Sequence, residues 1–111
     1  MTNLIALEHP GLILQEEFLE PLELSAYKVA ADTGLSRTAL GEIIKGKRSI
    51  SEKTGLILAR YFGLSDDYFL KLQMHYNLDK LKQTEKESLK KIVKFVQKKK
   101  TKSAGDDLLK A

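Results

Sequence analysis

Arg37, Thr38, Gly41, Glu42 and Lys45 share one side of a helical wheel, and Lys47 and Arg48 follow within three residues. The array offers a guanidinium, a hydroxyl, a carboxylate and amines, with no nucleophile and base set to work together. Its chemistry is hydrogen bonding and charge. A helix face of this kind can present side chains to base edges in a DNA groove while neighbouring cations hold the phosphates beside it. Gly41 costs roughly 1 kcal/mol against alanine in a helix interior. Its missing side chain either lets the helix sit deeper in a groove or serves no purpose. Three cations in one loop also fit a solvated turn, so the case rests on the elements that position them.

Bond-making chemistry finds little support. Cysteine is absent, which excludes a thiol nucleophile, a disulfide scaffold and any zinc site built on cysteine. The two histidines, His9 and His75, lie in separate helical regions without a partner for metal, and each has a plainer reading as a helix-entry and a surface residue. No glycine-rich phosphate loop and no G-x-S-x-G elbow occurs. Asp66 and Asp67 read as first-turn acids of a helix. The expectation is a non-enzymatic protein with no metal, cofactor or small-molecule substrate.

The polar face needs a scaffold, and the segment from Ala26 to Lys45 has the pattern of one. Two helices of about eight residues are separated by a short turn, as in a helix-turn-helix. Close crossing needs a small residue, Ala30, and the turn needs a glycine, Gly34, where positive φ carries no steric cost. Leu40 and Ile43 supply the apolar stripe of the second helix, and Val29 completes the small core. Any bundle of amphipathic helices shows some such pattern, but here small, glycine and apolar positions agree at five sites in one register.

Caps and stops mark the remaining elements. A first helix opens near Pro10, runs through Ile13, Leu14, Glu17 and Phe18, and stops near Pro21. Ser25, Ser36, Ser51 and Ser65 are candidate N-caps, with Gly34, Gly46 and Gly63 at helix ends. Leu24 with Val29, Leu35 with Leu40, and Leu64 with Phe69 have the spacing of hydrophobic staples. A last helix is expected from Glu85 to about Lys99, with Thr84 and Glu87 as a capping box and Leu89, Ile92, Val93 and Val96 on one face. The organisation predicted is a domain over 1–80, a basic helix over 81–100 and a disordered tail over 101–111.

Net charge is +4 over 111 residues, and its distribution is uneven. Residues 1–79 carry 8 Lys and Arg against 11 Asp and Glu, a balance of −3; residues 80–111 carry 11 lysines against 4 acids, a balance of +7. A DNA-reading surface in the front part must therefore come from local clustering rather than overall basicity. No secretory signal and no apolar run of bilayer-spanning length is present, so the expected location is the cytoplasm.

Together, HPGLIL at 9–14, EFLEPLELS at 17–25, GKRSIS at 46–51, LARYFGLS at 58–65 and YFLKLQ at 68–73 resemble the lambda-repressor-like (XRE) family. Within it, the likeness is to the HigA-type antitoxins, also known as VapI or plasmid-maintenance antidote proteins, over roughly residues 7–80. The resemblance implies an all-α fold: a five-helix DNA-binding domain, here with the lysine-rich amphipathic helix appended. It implies a homodimer that binds a palindromic operator in double-stranded DNA, represses its own operon and neutralises a RelE-like ribonuclease toxin. Residue by residue, it implies that Arg37, Thr38 and Glu42 face base edges, and that Ser36, Lys45, Lys47 and Arg48 contact phosphates. Two positions depart from the pattern: Ala26 stands where a glutamine is frequent, and Glu42 where a basic or amide residue is common. An acid at that site can accept a hydrogen bond from cytosine N4.

Two other functions fit the same residues: a stand-alone regulator without a toxin, and a protein-interaction module with a degenerate helix-turn-helix. For the lysine-rich helix, packing on the body or on a twin is the plainer reading. A nonspecific DNA clamp or a toxin-docking element is the sharper one, and a membrane-surface helix the weakest.

Overall fold

The computed structural model describes residues 8–96, and among them every regular element is helical. Helix α1 spans Pro10–Leu14 and continues as a π-helical turn over Gln15–Leu19, closed by the Glu20 N–H on the Gln15 carbonyl at 2.9 Å. It is followed by α2 (Ala26–Thr33), α3 (Arg37–Ile44), α4 (Glu52–Phe62), α5 (Tyr68–Thr84) and α6 (Lys86–Lys90).

Three serines start helices as their positions predict. Ser25, Ser36 and Ser51 each have extended backbone, and each hydroxyl accepts the N–H three residues on, from Lys28 at 3.0 Å, Ala39 at 3.1 Å and Thr54 at 3.2 Å. The fourth differs. Helix α5 begins at Tyr68 with Asp67 as its cap residue, and Ser65 spends its hydroxyl on the Asp67 carboxylate at 3.2 Å. Asp66 likewise precedes the helix and is no first-turn acid; Arg60 at the end of α4 holds it with two hydrogen bonds of 2.7 and 3.1 Å.

Leu14, Leu19, Val29, Leu40, Ile43, Ile50, Leu58, Ala59 and Phe69 form the buried core, so every element from α1 to α5 contributes to it. Both members of each expected staple pair belong to this core or pack against it. On one flank Phe18, Phe62, Tyr68 and Phe69 meet edge-on or tilted, with centroids 5.0 to 6.5 Å apart. Tyr61 of α4 donates a hydrogen bond to the Asp32 carboxylate of α2 at 2.5 Å, tying the first helix of the turn motif to the body.

The C-terminal helix is shorter than its periodicity predicts. Helix α5 runs through residue 81, where the domain boundary is expected, and ends at Thr84, so Thr84 closes one helix instead of capping the next. Helix α6 stops at Lys90, and Ile92, Val93, Phe95 and Val96 are 69% to 87% exposed in irregular chain. Short amphipathic helices are marginal in water until their apolar face is covered, and among the described residues nothing covers this one. The expected continuation over 97–99 and the 101–111 tail lie outside the described residues.

Candidate nucleic-acid interface

Helices α2 and α3 are joined by Gly34, Leu35 and Ser36. Gly34 has φ of 85°, and its N–H returns to the Ala30 carbonyl at 2.8 Å. A Cβ at Gly34 would meet nothing within 4 Å, so the glycine is required by its backbone angle and not by crowding. Val29, Ala30, Leu40 and Ile43 turn inward and are buried. The inward set leaves Ser36, Arg37, Thr38 and Lys45 exposed, with Gly41 and Glu42 half-buried on the same outward side of α3. At Gly41 a Cβ would also meet nothing within 4 Å, so no packing demand among the described residues explains its missing side chain.

Lys47 and Arg48 are exposed in the loop that reverses the chain after α3. Gly46, at φ of 79°, donates its N–H to the Ile43 carbonyl at 2.9 Å, and Lys47 donates to the Glu42 carbonyl at 2.8 Å, the paired bonds of a Schellman cap. This reversal brings Arg48 back alongside α3, where its Nε and Nη2 lie 2.8 and 2.7 Å from the Glu42 carboxylate. Two residues expected to act separately, one on a base and one on a phosphate, are thus an ion pair. Arg37 is also held, its guanidinium 5.0 Å from the centre of the exposed Tyr27 ring on α2.

Two positioning residues, Gln73 and Gly11, escape sequence reasoning, while His9 has the helix-entry role expected of it. Gln73 of α5, 6% exposed, accepts the Ile50 N–H at 2.8 Å and donates to Asn77 Oδ1 at 3.0 Å, pinning the loop after α3 to α5. Its one sequence signal is its place four residues after Phe69, on the buried side of α5. Gly11 is where α1 crosses the end of α3: a Cβ there would lie 1.7 Å from the Ile43 carbonyl oxygen. His9 caps α1 by accepting the Gly11 N–H on Nδ1 at 2.9 Å, and its ring meets Tyr76 edge-on with centroids 5.1 Å apart.

Burial, reinforced by the Lys80 ammonium, lowers the His9 pKa below its ordinary 6.5. Between that lowered value and 6.5 the unfolded chain binds more protons than the folded one, so stability rises with pH across this window. The His9 contribution should therefore be complete above pH 6.5 and be lost as pH falls through the folded pKa. His9→Asn keeps a capping acceptor without the titration. Urea melts from pH 8 to 5 should show the parent losing stability relative to His9→Asn, and parallel profiles would remove His9 as the cause.

An exposed polar second helix on a rigid turn motif, with a cationic loop at its end, defines a DNA-binding helix-turn-helix regulator. The sequence pattern of the family described as Helix-turn-helix matches residues 16–69. The chain is 39% identical over 85 residues to virulence-associated protein I of Dichelobacter nodosus, covering 77% of this chain and 78% of that one. Among solved structures, it is similar to the Pseudomonas aeruginosa antitoxin HigA with the higBA promoter (26% identity, TM-score 0.77, covering 83% of this chain and all of that one). It is also similar to an addiction module antidote protein of the HigA family from Coxiella burnetii (29% identity, TM-score 0.75, with the same coverage). The chain belongs to the XRE-type helix-turn-helix family that includes the virulence-associated proteins. Among the described residues no helix is long and apolar enough to cross a membrane.

Proposed function

We propose that this protein is a cytoplasmic, sequence-specific repressor and the antitoxin of a two-gene module, binding a palindromic operator ahead of its own gene and neutralising a RelE-like ribonuclease. The observation that carries the reading is the outward face of α3, which is polar, presented by a buried turn motif and flanked by exposed cations. Arg37 reads a guanine through O6 and N7, with Tyr27 steadying its guanidinium, and Thr38 lies beside it. Gly41 leaves room for close approach to the groove floor, and Ser36, Lys45, Lys47 and Arg48 hold phosphates. Glu42 sets the direction of Arg48 and accepts from cytosine N4 when the pair opens. The antitoxin role is supported by the likeness to HigA proteins over most of the chain.

A second copy is needed to read both half-sites, about one helical turn (~34 Å) apart or a multiple of it. Met74, Leu78 and Leu81 form a half-exposed apolar stripe along one side of α5 that a twin can cover. In a fluorescence-anisotropy titration, the parent should prefer the duplex from upstream of its gene over a scrambled one. Arg37→Ala should weaken the specific complex by about 1–3 kcal/mol, roughly 5- to 150-fold, and the scrambled complex far less. Equal weakening on both duplexes would make Arg37 a phosphate contact, and no preference in the parent would end the repressor reading. Co-purification with the product of the adjacent gene tests the antitoxin role.

A further inference from the structure

Outside the helix-turn-helix, a polar cleft of about 220 Å³ lies between the α1 cap, the loop after α3 and the second half of α5. His9, Lys47, Arg48, Tyr76, Asn77 and Lys80 line it. These residues come from three stretches of chain, and no acid is among them. Lys47 and Lys80 have no ion-pair partner among the described residues, and the carboxylate of Glu42 already faces Arg48. The Lys80 ammonium is 5.7 Å from the centre of the Tyr76 ring, whose edge-on neighbour is His9. Because His9 Nδ1 accepts the Gly11 N–H, the neutral ring carries its proton on Nε2 and is left with one donor. Among the described residues every charged group lining the cleft is thus a cation, gathered where cations otherwise repel one another.

Resting on the DNA-binding reading above, we infer that this cleft holds a phosphodiester of the DNA backbone, with Lys80 and His9 as phosphate-binding residues contributed from outside the turn motif. The position favours duplex DNA over a free anion. Arg48 both lines the cleft and pairs with Glu42 on the outward face of α3, so the cleft and the reading face are one continuous surface. A backbone strand flanking the groove entered by α3 passes from Lys47 and Arg48 onto α5. The footprint then extends past the base pairs that α3 reads, which adds affinity without adding sequence preference.

The full chain is titrated with the own-gene and scrambled duplexes over a salt series, as parent, Lys80→Gln and Lys71→Gln. Lys71, nine residues from Lys80 on the opposite side of α5, is the charge-matched control. Lys80→Gln should lower the slope of log K against log salt by about 0.9 on both duplexes, while Lys71→Gln leaves it unchanged. An unaltered slope in Lys80→Gln, or an equal change in both variants, overturns the cleft assignment. Loss of sequence preference in the parent instead overturns the repressor reading and leaves the slope test intact on either duplex. An NMR pH titration of the His9 ring supplies the second readout. Bound duplex should raise its midpoint by offsetting Lys80. A His9 response to inorganic phosphate at constant ionic strength, absent with duplex, would make the cleft a free-phosphate site and overturn the DNA assignment.

Discussion

Gly11→Ala should destabilise the protein by about 3 kcal/mol or more, a large loss for a change of one methyl group. The added Cβ would sit 1.7 Å from the Ile43 carbonyl oxygen and 2.6 Å from its carbon. Both are backbone atoms of the last turn of α3, so no side-chain rotation relieves the overlap. Relief requires α1 to lift away from α3, which opens the core around Leu14, Leu40 and Ile43. The same displacement shifts the end of α3 and the loop carrying Lys47 and Arg48, so DNA affinity should fall together with stability. Urea denaturation with an anisotropy titration of the folded fraction tests both. A loss under about 1 kcal/mol would mean that α1 can retreat at little cost and that the crossing does not hold α3 in place.

Phe69→Ala should cost about 3–5 kcal/mol, the range for removing a fully buried phenylalanine. Phe69 is 0% exposed, packs edge-on to Phe18 and Tyr68 at 5.6 and 5.0 Å, and is tilted to Phe62 at 6.5 Å. It therefore joins the π-helical turn after α1, the end of α4 and the start of α5. Removing it leaves a void that three neighbouring rings are too rigid to fill, since each has its own packing partner. A domain of this size melts roughly 4–8 °C lower for each kcal/mol lost, so the midpoint should fall by about 12 °C or more. Phe69→Leu keeps most of the volume and should recover the greater part of that loss. Equal midpoints for the alanine and leucine variants would show that the ring cluster collapses freely and that Phe69 is not its keystone.

Both effects depend on contacts between residues far apart in the chain, which is where legibility in the sequence ends. Ser25, Ser36 and Ser51 could be read as caps because the group each satisfies lies three residues away. Gly34, Gly46 and Gly63 could be read as stops because positive φ is a local demand that other residues meet poorly. The polar face of α3 followed from its period, since any helix that buries Leu40 and Ile43 turns Arg37, Thr38 and Lys45 outward. Ser65 misled for the same local reason. Its spacing to α5 is that of a cap, but α5 begins at Tyr68 with Asp67 as the cap residue, and Ser65 bonds Asp67 instead.

The amino-acid sequence alone determined the order of the helices, the turn motif and the side of α3 left open, because short-range hydrogen bonding and helical period decide these. Only the tertiary structure decided that Gly11 must be a glycine, that Gln73 pins the loop after α3, and that Glu42 and Arg48 act as a pair. It also decided that the apolar residues from Ile92 to Val96 form no helix in the single chain. Each of these turns on which surfaces meet or fail to meet. A residue's type does not encode that until the chain has folded back on itself and distant groups come within van der Waals or hydrogen-bond reach.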